Sequence, residues 1–174
     1  ICIGNIYLGG TGKTPTTLKV YELLKNLNYQ SATAKKLYLD QEDERTLLKN
    51  KTKLITSKKR VKIFENAIKN NYDFIIFDDG LQDKTVEYDV KFVCFDAINW
   101  IGNGYLIPSG PLREKLDSLK KYDGVFLKSL SKNSNSDKIS SFIKKFNPNI
   151  KIFHSYVNIK NINKFNLFKK YLIF

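Results

Sequence analysis

The chain has 174 residues, of which 42% are hydrophobic, and a formal net charge of +13 at pH 7. This length suffices for one domain with a packed core, and no apolar run is long enough to cross a bilayer as a helix. The positive charge favours anionic partners, namely nucleic acid, an anionic membrane surface or phosphorylated substrates. Cys2 and Cys94 both lie in apolar runs, which predicts buried free thiols rather than a disulfide or a metal site.

The first predicted elements are a buried strand at residues 1–6 and a helix at residues 14–28, joined by a glycine-rich turn that ends in Gly-Lys-Thr. This arrangement is typical of a phosphate-binding loop, although the strict pattern has a glycine where Tyr7 stands. Glycines let backbone N–H groups approach phosphate oxygens, and the helix N-terminus adds partial positive charge. We predict that Lys13 reaches the β- and γ-phosphates of a nucleotide and that Thr14 ligates Mg²⁺. The predicted nucleotide-binding residues are Tyr7, Leu8, Gly9, Gly10, Thr11, Gly12, Lys13 and Thr14.

Strands alternate with helices along the rest of the chain. The predicted elements are, in order, a strand at residues 30–34, a polar stretch at 35–45, a strand at 53–56, a helix at 58–70, strands at 74–77 and 90–95, a loop at 99–110, a helix at 112–121, a strand at 123–128, a polar linker at 129–136, a helix at 137–146 and a strand at 150–157. This alternation predicts an α/β fold of the P-loop NTPase type, with a mostly parallel sheet and helices on both faces. Its ligand site is expected at the carboxyl ends of the strands.

Two carboxylates follow the apolar run at residues 74–77. A continuous apolar run is typical of a parallel strand that is buried on both faces. In a phosphate-loop enzyme, the acid on the Mg²⁺ side lies at the carboxyl end of such a strand. Asp78 and Asp79 are therefore predicted metal ligands, together with Thr14.

The predicted domain boundary lies close to the end of the sequence. Residues 1–157 are expected to form the nucleotide-binding core, and residues 158–174 the start of a further, truncated lobe. The sequence starts within a strand-like run, contains no methionine and ends in another strand-like run. We therefore expect it to be an internal fragment of a longer protein.

Three segments, in this order and spacing, resemble one family. They are Gly4-Asn5 before Gly9-Gly10-Thr11-Gly12-Lys13-Thr14-Pro15, then Asp78-Asp79-Gly80-Leu81-Gln82, then Gly102-Asn103-Gly104 before Pro108-Ser109-Gly110-Pro111-Leu112-Arg113-Glu114. Together they resemble the tetraacyldisaccharide 4′-kinases, the lipid A 4′-kinases of Gram-negative bacteria. The last segment is the most specific of the three, and the resemblance runs nearly from end to end.

The resemblance implies a reaction, cofactors and partners. The reaction is phosphoryl transfer from ATP, with Mg²⁺, to the 4′-hydroxyl of a tetraacyldisaccharide 1-phosphate in lipid A biosynthesis. The implied partners are this acylated disaccharide phosphate and an anionic membrane surface, with no nucleic acid. The implied location is the cytoplasmic face of the bacterial inner membrane, with a membrane-associating N-terminal segment outside this sequence.

The resemblance also implies catalytic roles for four residues. The family places a catalytic acid in an Asp-Glu pair before a Leu-Leu run, and Asp43 matches it as the base for the sugar hydroxyl. Lys13 would hold the phosphates, and Arg113 would stabilise charge that develops on the transferred group. Glu114 would order the metal or Arg113. The alternatives are an exposed ion pair between Arg113 and Glu114 and a solvated loop acid at Asp43.

The sequence departs from the family pattern at three places. The family's Asp-Glu-Pro reads Asp43-Glu44-Arg45, its Ser-Arg-Gly-Tyr segment is replaced by Ala34-Lys35-Lys36, and Asp83 stands where the family has histidine. These departures concern the base and the loops expected to hold the acceptor.

Other classes of protein fit the sequence less well. A P-loop ATPase of the partitioning or carrier type has a lysine before the paired glycines, where Leu8 stands here. A GTPase would carry Asn-Lys-x-Asp after a strand, and a nucleic-acid-binding module would interleave aromatic residues with a clustered basic patch. A non-catalytic remnant of the kinase remains an alternative.

Overall fold

Seven parallel strands form one sheet in the computed structural model, which describes residues 1–37, 42–130 and 134–156. The strands are β1 (Cys2–Gly4), β2 (Ser31–Lys36), β3 (Leu54–Ser57), β4 (Phe74–Asp78), β5 (Lys91–Asp96), β6 (Gly124–Ser129) and β7 (Lys151–Tyr156). Their spatial order is β3-β2-β4-β1-β5-β6-β7, and every pairing between these strands is parallel. The predicted parallel α/β fold is confirmed.

Helices cover both faces of the sheet, as predicted. The described helices are α1 (Lys13–Asn26), α2 (Glu42–Lys51), α3 (Arg60–Lys69) and α4 (Ser134–Phe146), with a 3₁₀ helix at Leu116–Lys121. On one face, the β1 residue Ile3 packs in a cluster with side chains of α1. On the other face, its neighbour Cys2 packs in a cluster with Ile63 of α3, and residues of β5 and β6 pack against α4. Because consecutive strand residues point to opposite faces, burial of both Cys2 and Ile3 requires layers on both sides.

The predicted polar stretch at residues 35–45 is wrong at both of its ends. Strand β2 extends to Lys36, and α2 begins at Glu42. Helix α2 buries one residue, Leu48, and therefore needs no apolar stripe along its sequence. Three acidic residues in its first turn and lysines in its last turn nevertheless suit the helix dipole. A helix with so little apolar surface leaves little periodic signal in its sequence.

The predicted helix at residues 112–121 is wrong in its first half. Leu112 forms an antiparallel bridge with Tyr7, and the Arg113 amide donates to the Ile6 carbonyl at 2.8 Å. These contacts hold the backbone extended, so that helical structure begins at Leu116. The predicted linker at 129–136 is also shorter than expected, because α4 begins at Ser134.

The predicted second lobe at residues 158–174 lies outside the described residues. Among the helices that the structure describes, none has both the length and the apolar character needed to cross a membrane. The carboxyl ends of β1, β2 and β4 lie side by side near the middle of the sheet, and the predicted site residues are found there.

Candidate active site

The loop between β1 and α1 takes a conformation that requires glycine at two positions. Gly9 and Gly12 have φ angles of 114° and 86°, in the left-handed region that other residues rarely adopt. Gly12 is the N-cap residue of α1. The first amides of a helix have no intrahelical acceptor. The loop can therefore offer backbone N–H groups to a phosphate at the positive end of a helix.

Asn5 stabilises the conformation of this loop through hydrogen bonds from its side chain. Its buried side-chain amide donates hydrogen bonds to the Gly9 carbonyl at 3.2 Å and to Thr11 Oγ1 at 3.0 Å. Its main-chain carbonyl accepts a hydrogen bond from Gln82 Nε2 at 2.9 Å. Asn5 thus ties the glycine loop to the turn that follows β4.

Tyr7 and Leu8, both predicted to bind nucleotide, pair with a later segment of the chain. Tyr7 forms its bridge with Leu112, and the Leu8 amide donates to the Pro111 carbonyl at 2.8 Å. The Leu8 amide is therefore engaged within the protein, and its side chain is exposed. The pairing fixes the residues that follow Leu112 beside the glycine loop.

Asp78 is a buried carboxylate at the end of β4, with an exposure of 1%. The Thr14 hydroxyl donates to its Oδ2 at 3.0 Å, and the Thr17 hydroxyl donates to its Oδ1 at 3.2 Å. Lys35 Nζ lies 2.7 Å from Oδ2. Helix α1 and strand β2 therefore hold this carboxylate in one orientation, as a precisely placed acid requires.

Lys35 is a buried cation whose Nζ bridges Asp78 and Glu44. Burial by itself lowers the pKa of a lysine, but the charge of Asp78 and the hydrogen bonds to both carboxylates raise the pKa of Lys35 above its ordinary value. Lys35 was not among the predicted site residues. The signal that could have revealed it is its position directly after Ala34, at the carboxyl end of a buried strand. A lysine that is buried there requires an acidic partner, because an unpaired buried charge is costly.

Asp79 brings Lys13 and Arg113 together. Its Oδ2 lies 3.8 Å from Lys13 Nζ and 3.4 Å from Arg113 Nη1. The side chains of Lys13 and Asp79 are mostly buried, with exposures of 10% and 19%. Two cations that share one carboxylate beside a phosphate-binding loop can neutralise the charge of a phosphoryl group. The structure thus joins three of the predicted site residues in one cluster.

Arg60 holds the turn that carries Asp79. Its side chain is buried, and Nη2 donates to the Asp79 carbonyl at 3.0 Å. Nε and Nη1 bind Asp83 Oδ2 at 2.7 Å and the Tyr88 hydroxyl at 2.9 Å. Asp79 has a φ of 66°, a conformation that non-glycine residues adopt only when the surroundings fix it. Nothing in the sequence Lys58-Lys59-Arg60 distinguishes this arginine from a solvated basic run.

Asp83, which stands where the family pattern has histidine, is an ionised partner of Arg60. Hydrogen bonds from the Thr85 hydroxyl and amide and from Arg60 lower the pKa of Asp83 to about 2. At neutral pH this residue is therefore a carboxylate and carries no proton to donate.

Gly80 leaves no room for a side chain in this turn. An added Cβ would lie 2.6 Å from Arg60 Nη1 and 2.7 Å from the Tyr88 hydroxyl. We expect Gly80→Ala to lower the free energy of unfolding by about 1–3 kcal/mol, as overpacking does in close-packed sites. Gly10→Ala is the matched control, since no described residue has an atom within 4 Å of its added Cβ. Thermal unfolding measures both variants, and equal loss in the two would contradict the packing argument.

Glu114 contacts Gln82 and Tyr122, and in the described part of the chain it forms no ion pair with Arg113. Its Oε1 accepts a hydrogen bond from Gln82 Nε2 at 2.8 Å, and its Oε2 accepts one from the Tyr122 hydroxyl at 3.0 Å. Gln82 therefore joins Glu114 to the glycine loop through Asn5. The contacts of Glu114 are those of a residue that positions the Arg113 segment.

Asp43 lies in the first turn of α2 and is exposed. The neighbouring Glu44 contacts Lys35, which in turn contacts Asp78. The start of α2 is therefore attached to the site, but the Asp43 side chain forms no hydrogen bond or ion pair with another described residue.

The oxygen donors near the loop suit Mg²⁺. Within the described ranges, no group of three or more His, Cys, Asp or Glu side chains could hold a metal ion by itself. Mg²⁺ ordinarily takes one or two carboxylates and completes its coordination with phosphate oxygens and water. Thr14 Oγ1 and the Asp78 carboxylate, 3.0 Å apart, are donors of that kind.

Comparison with known proteins gives one family. The family model described as Tetraacyldisaccharide-1-P 4′-kinase matches residues 1–35 and 31–169. The tetraacyldisaccharide 4′-kinase of Pelagibacter ubique (strain HTCC1062) is 44% identical over 177 residues, which cover 100% of this chain and 55% of that protein. The enzyme of the same name from Shewanella sediminis (strain HAW-EB3) is 34% identical over 144 residues, covering 72% of this chain and 43% of the relative. The chain spans about half the length of these relatives.

A solved structure shares the fold. The crystal structure of hydrogenase maturation factor HypB from Archaeoglobus fulgidus matches with a TM-score of 0.56 and covers 90% of this chain and 81% of that one. The sequence identity is 13%, so the likeness concerns the arrangement of strands and helices alone.

Proposed function

Because this chain belongs to the tetraacyldisaccharide 4′-kinase family, we propose that the protein transfers the γ-phosphate of ATP to the 4′-hydroxyl of a tetraacyldisaccharide 1-phosphate. Residues 7–14 would bind the nucleotide, and the acceptor would lie beside the turn after β4. The reaction would be a step of lipid A biosynthesis.

The observation that supports this proposal best is the meeting of Lys13 and Arg113 at Asp79. Both cations lie within 3.8 Å of the same carboxylate. A γ-phosphate on the glycine loop would have Lys13 beside it and Arg113 on the side from which the acceptor approaches. Phosphoryl transfer depends mainly on positioning and on neutralising charge, which such a pair of cations can supply.

The transfer step requires one base. The acceptor oxygen forms a bond to the γ-phosphorus while the bond from that phosphorus to the bridging oxygen of ADP breaks. The hydroxyl proton passes to Asp43, which we keep as the proposed base. Lys13 and Arg113 would stabilise the charge on the transferred group, and Glu114 would act by holding the Arg113 segment through Gln82.

Mg²⁺ would be held by Thr14, Asp78 and Asp79. Bound there, it would neutralise charge on the β- and γ-phosphates. Within the protein, Lys35 and Thr17 keep the Asp78 carboxylate oriented toward Thr14.

We also propose that the enzyme works at the cytoplasmic face of the inner membrane, where an anionic surface would attract it. The support is the net charge of +13 and the acylated nature of the substrate that the family name describes. Electrostatic attraction of this kind weakens as the salt concentration rises.

The proposed acceptor position is tested with two substrates. The complete gene product that contains these residues is assayed with ATP and Mg²⁺ on tetraacyldisaccharide 1-phosphate and on its 4′-deoxy analogue. We expect labelled phosphate to enter the first lipid and not the second. Equal labelling of both would show that another oxygen is phosphorylated and would overturn the proposed site of transfer.

A further inference from the structure

A cavity of about 880 Å³ opens beside the Asp79–Arg113 pair. Its volume is within the range, roughly 300–1,000 Å³, of pockets that hold small molecules. Asp79, Gln82 and Arg113 form part of its wall, whereas no residue of Gly9 to Thr14 does. The cavity therefore adjoins the nucleotide loop without being part of it.

Asp79 and Arg113 lie at the boundary between the nucleotide loop and the cavity. Asp79 contacts Lys13 of the nucleotide loop at 3.8 Å, and the same residue lines the cavity. A hydroxyl group on a molecule inside the cavity would therefore meet a γ-phosphate at this boundary. The placement is that of an acceptor site next to a donor site.

The cavity is strongly cationic. Six basic side chains and two carboxylates line it, which leaves an excess of four positive charges. Asp83 is paired with Arg60 at 2.7 Å, and Asp79 is shared by Lys13 and Arg113. Both arginines are therefore paired, and the charge that these pairs leave over includes that of Lys58, Lys59 and Lys84.

Lys58, Lys59 and Lys84 form a group that we call the lysine rim. All three are exposed, and in the part of the chain that the structure describes none of them forms an ion pair. They come from two segments, the residues directly before α3 and the turn after β4, which line the same cavity. None of the three has a role in the site described above.

We propose that the lysine rim binds the phosphate monoester of the acceptor while the Asp79–Arg113 end receives the hydroxyl. This inference rests on the proposed function and adds a recognition site to it. A lysine is a mobile point charge, which suits a phosphate on a flexible, acylated sugar. Because the monoester does not react, the rim would contribute binding that is equal in the ground state and the transition state, and would lower KM without raising kcat.

The test removes charge from each side of the contact. The triple variant Lys58→Gln, Lys59→Gln, Lys84→Gln is compared with wild type on tetraacyldisaccharide 1-phosphate and on the same lipid without its 1-phosphate, both in micelles of a neutral detergent. We expect the variant to raise KM about tenfold for the phosphorylated acceptor, since charge-assisted contacts at an exposed site are weakened by water. KM for the dephosphorylated acceptor, KM for ATP and kcat should stay within about twofold of wild type.

The matched control is Lys25→Gln, Lys138→Gln, Lys144→Gln, which removes the same charge from exposed positions of α1 and α4 outside the cavity. An equal rise of KM in this control, or an equal effect on both acceptors, would overturn the assignment to the rim. Phosphates of anionic phospholipids carry similar chemistry, so phosphatidylglycerol is added to the micelles in a further series. Strong inhibition of wild type that the rim variant escapes would show that membrane headgroups occupy the rim, and would also overturn the proposal.

Binding measured without ATP separates this inference from the proposed function. Wild type should retain the phosphorylated lipid more tightly than the dephosphorylated one, and the rim variant should lose the difference. If that preference is found while no phosphate is transferred, the rim stands and the proposed function fails. If transfer occurs while binding is indifferent to the 1-phosphate, the proposed function stands and the rim fails.

Discussion

Replacing Lys13 with methionine should lower kcat for phosphoryl transfer by about 10²- to 10³-fold, the usual effect of removing one group that stabilises transition-state charge. Methionine keeps much of the length of the lysine stem, so the loss is mainly that of the charge. Arg113 stays within 3.4 Å of Asp79, so the carboxylate keeps a partner and the fold should be retained. Initial rates at saturating ATP and acceptor measure the change.

Lys19→Met is the control for this prediction. It lies on the same helix, its side chain is 64% exposed, and its contact is with Glu22 on the surface. Its kcat should stay close to that of wild type. A value for Lys13→Met within about threefold of wild type would mean that the loop lysine has no part in the chemistry.

Replacing Lys35 with methionine should lower the free energy of unfolding by about 3–5 kcal/mol, the usual cost of breaking a buried ion pair from one side. The variant leaves Asp78 with an exposure of 1% and, in the described part of the chain, only the hydroxyls of Thr14 and Thr17 as partners. Glu44 matters less to this balance because its side chain is 44% exposed. Thermal or denaturant unfolding of the complete gene product measures the loss.

Two further variants identify the cause. Lys49→Met changes an exposed lysine of α2 and should shift the free energy of unfolding by no more than about 0.5 kcal/mol. The double variant Lys35→Met, Asp78→Asn also removes the unpaired negative charge of Asp78 and should recover part of the lost stability. If Lys35→Met alone costs less than about 1 kcal/mol, water reaches Asp78 and the buried pair is not what holds this edge of the sheet together.

The sequence predicted the elements whose pattern is local. A glycine loop between a strand and a helix is readable because two of its glycines meet a backbone requirement, as the φ angles of 114° at Gly9 and 86° at Gly12 show. The strand at Phe74–Asp78 is readable because a short, continuous apolar run that ends in acids is typical of a buried parallel strand. The two acids that follow the run could therefore be placed at the edge of the sheet next to the loop.

The parts of the site that depend on long-range contacts were not predicted, although a lysine at the end of a buried strand was an available signal for Lys35. Lys35 and Glu44 belong to segments that look polar, and their roles appear only when β2 lies beside β4 and places Lys35 next to Asp78. Arg60 cannot be distinguished from the lysines beside it in the sequence, because its role depends on the packing of α3 against the turn after β4. The helix expected at residue 112 fails for a related reason, since its first residues pair with Tyr7 across the site.

The measurement that tests the proposed kinase most directly is the fate of labelled γ-phosphate. The complete gene product is incubated with ATP and Mg²⁺, with and without tetraacyldisaccharide 1-phosphate, and the label is divided between lipid and inorganic phosphate. The proposal predicts that the label enters the lipid and that ATP consumption depends on the acceptor. Release of inorganic phosphate at the same rate with and without the acceptor would instead indicate a switch ATPase, and no consumption of ATP would indicate a non-catalytic remnant; either result would contradict the proposed function.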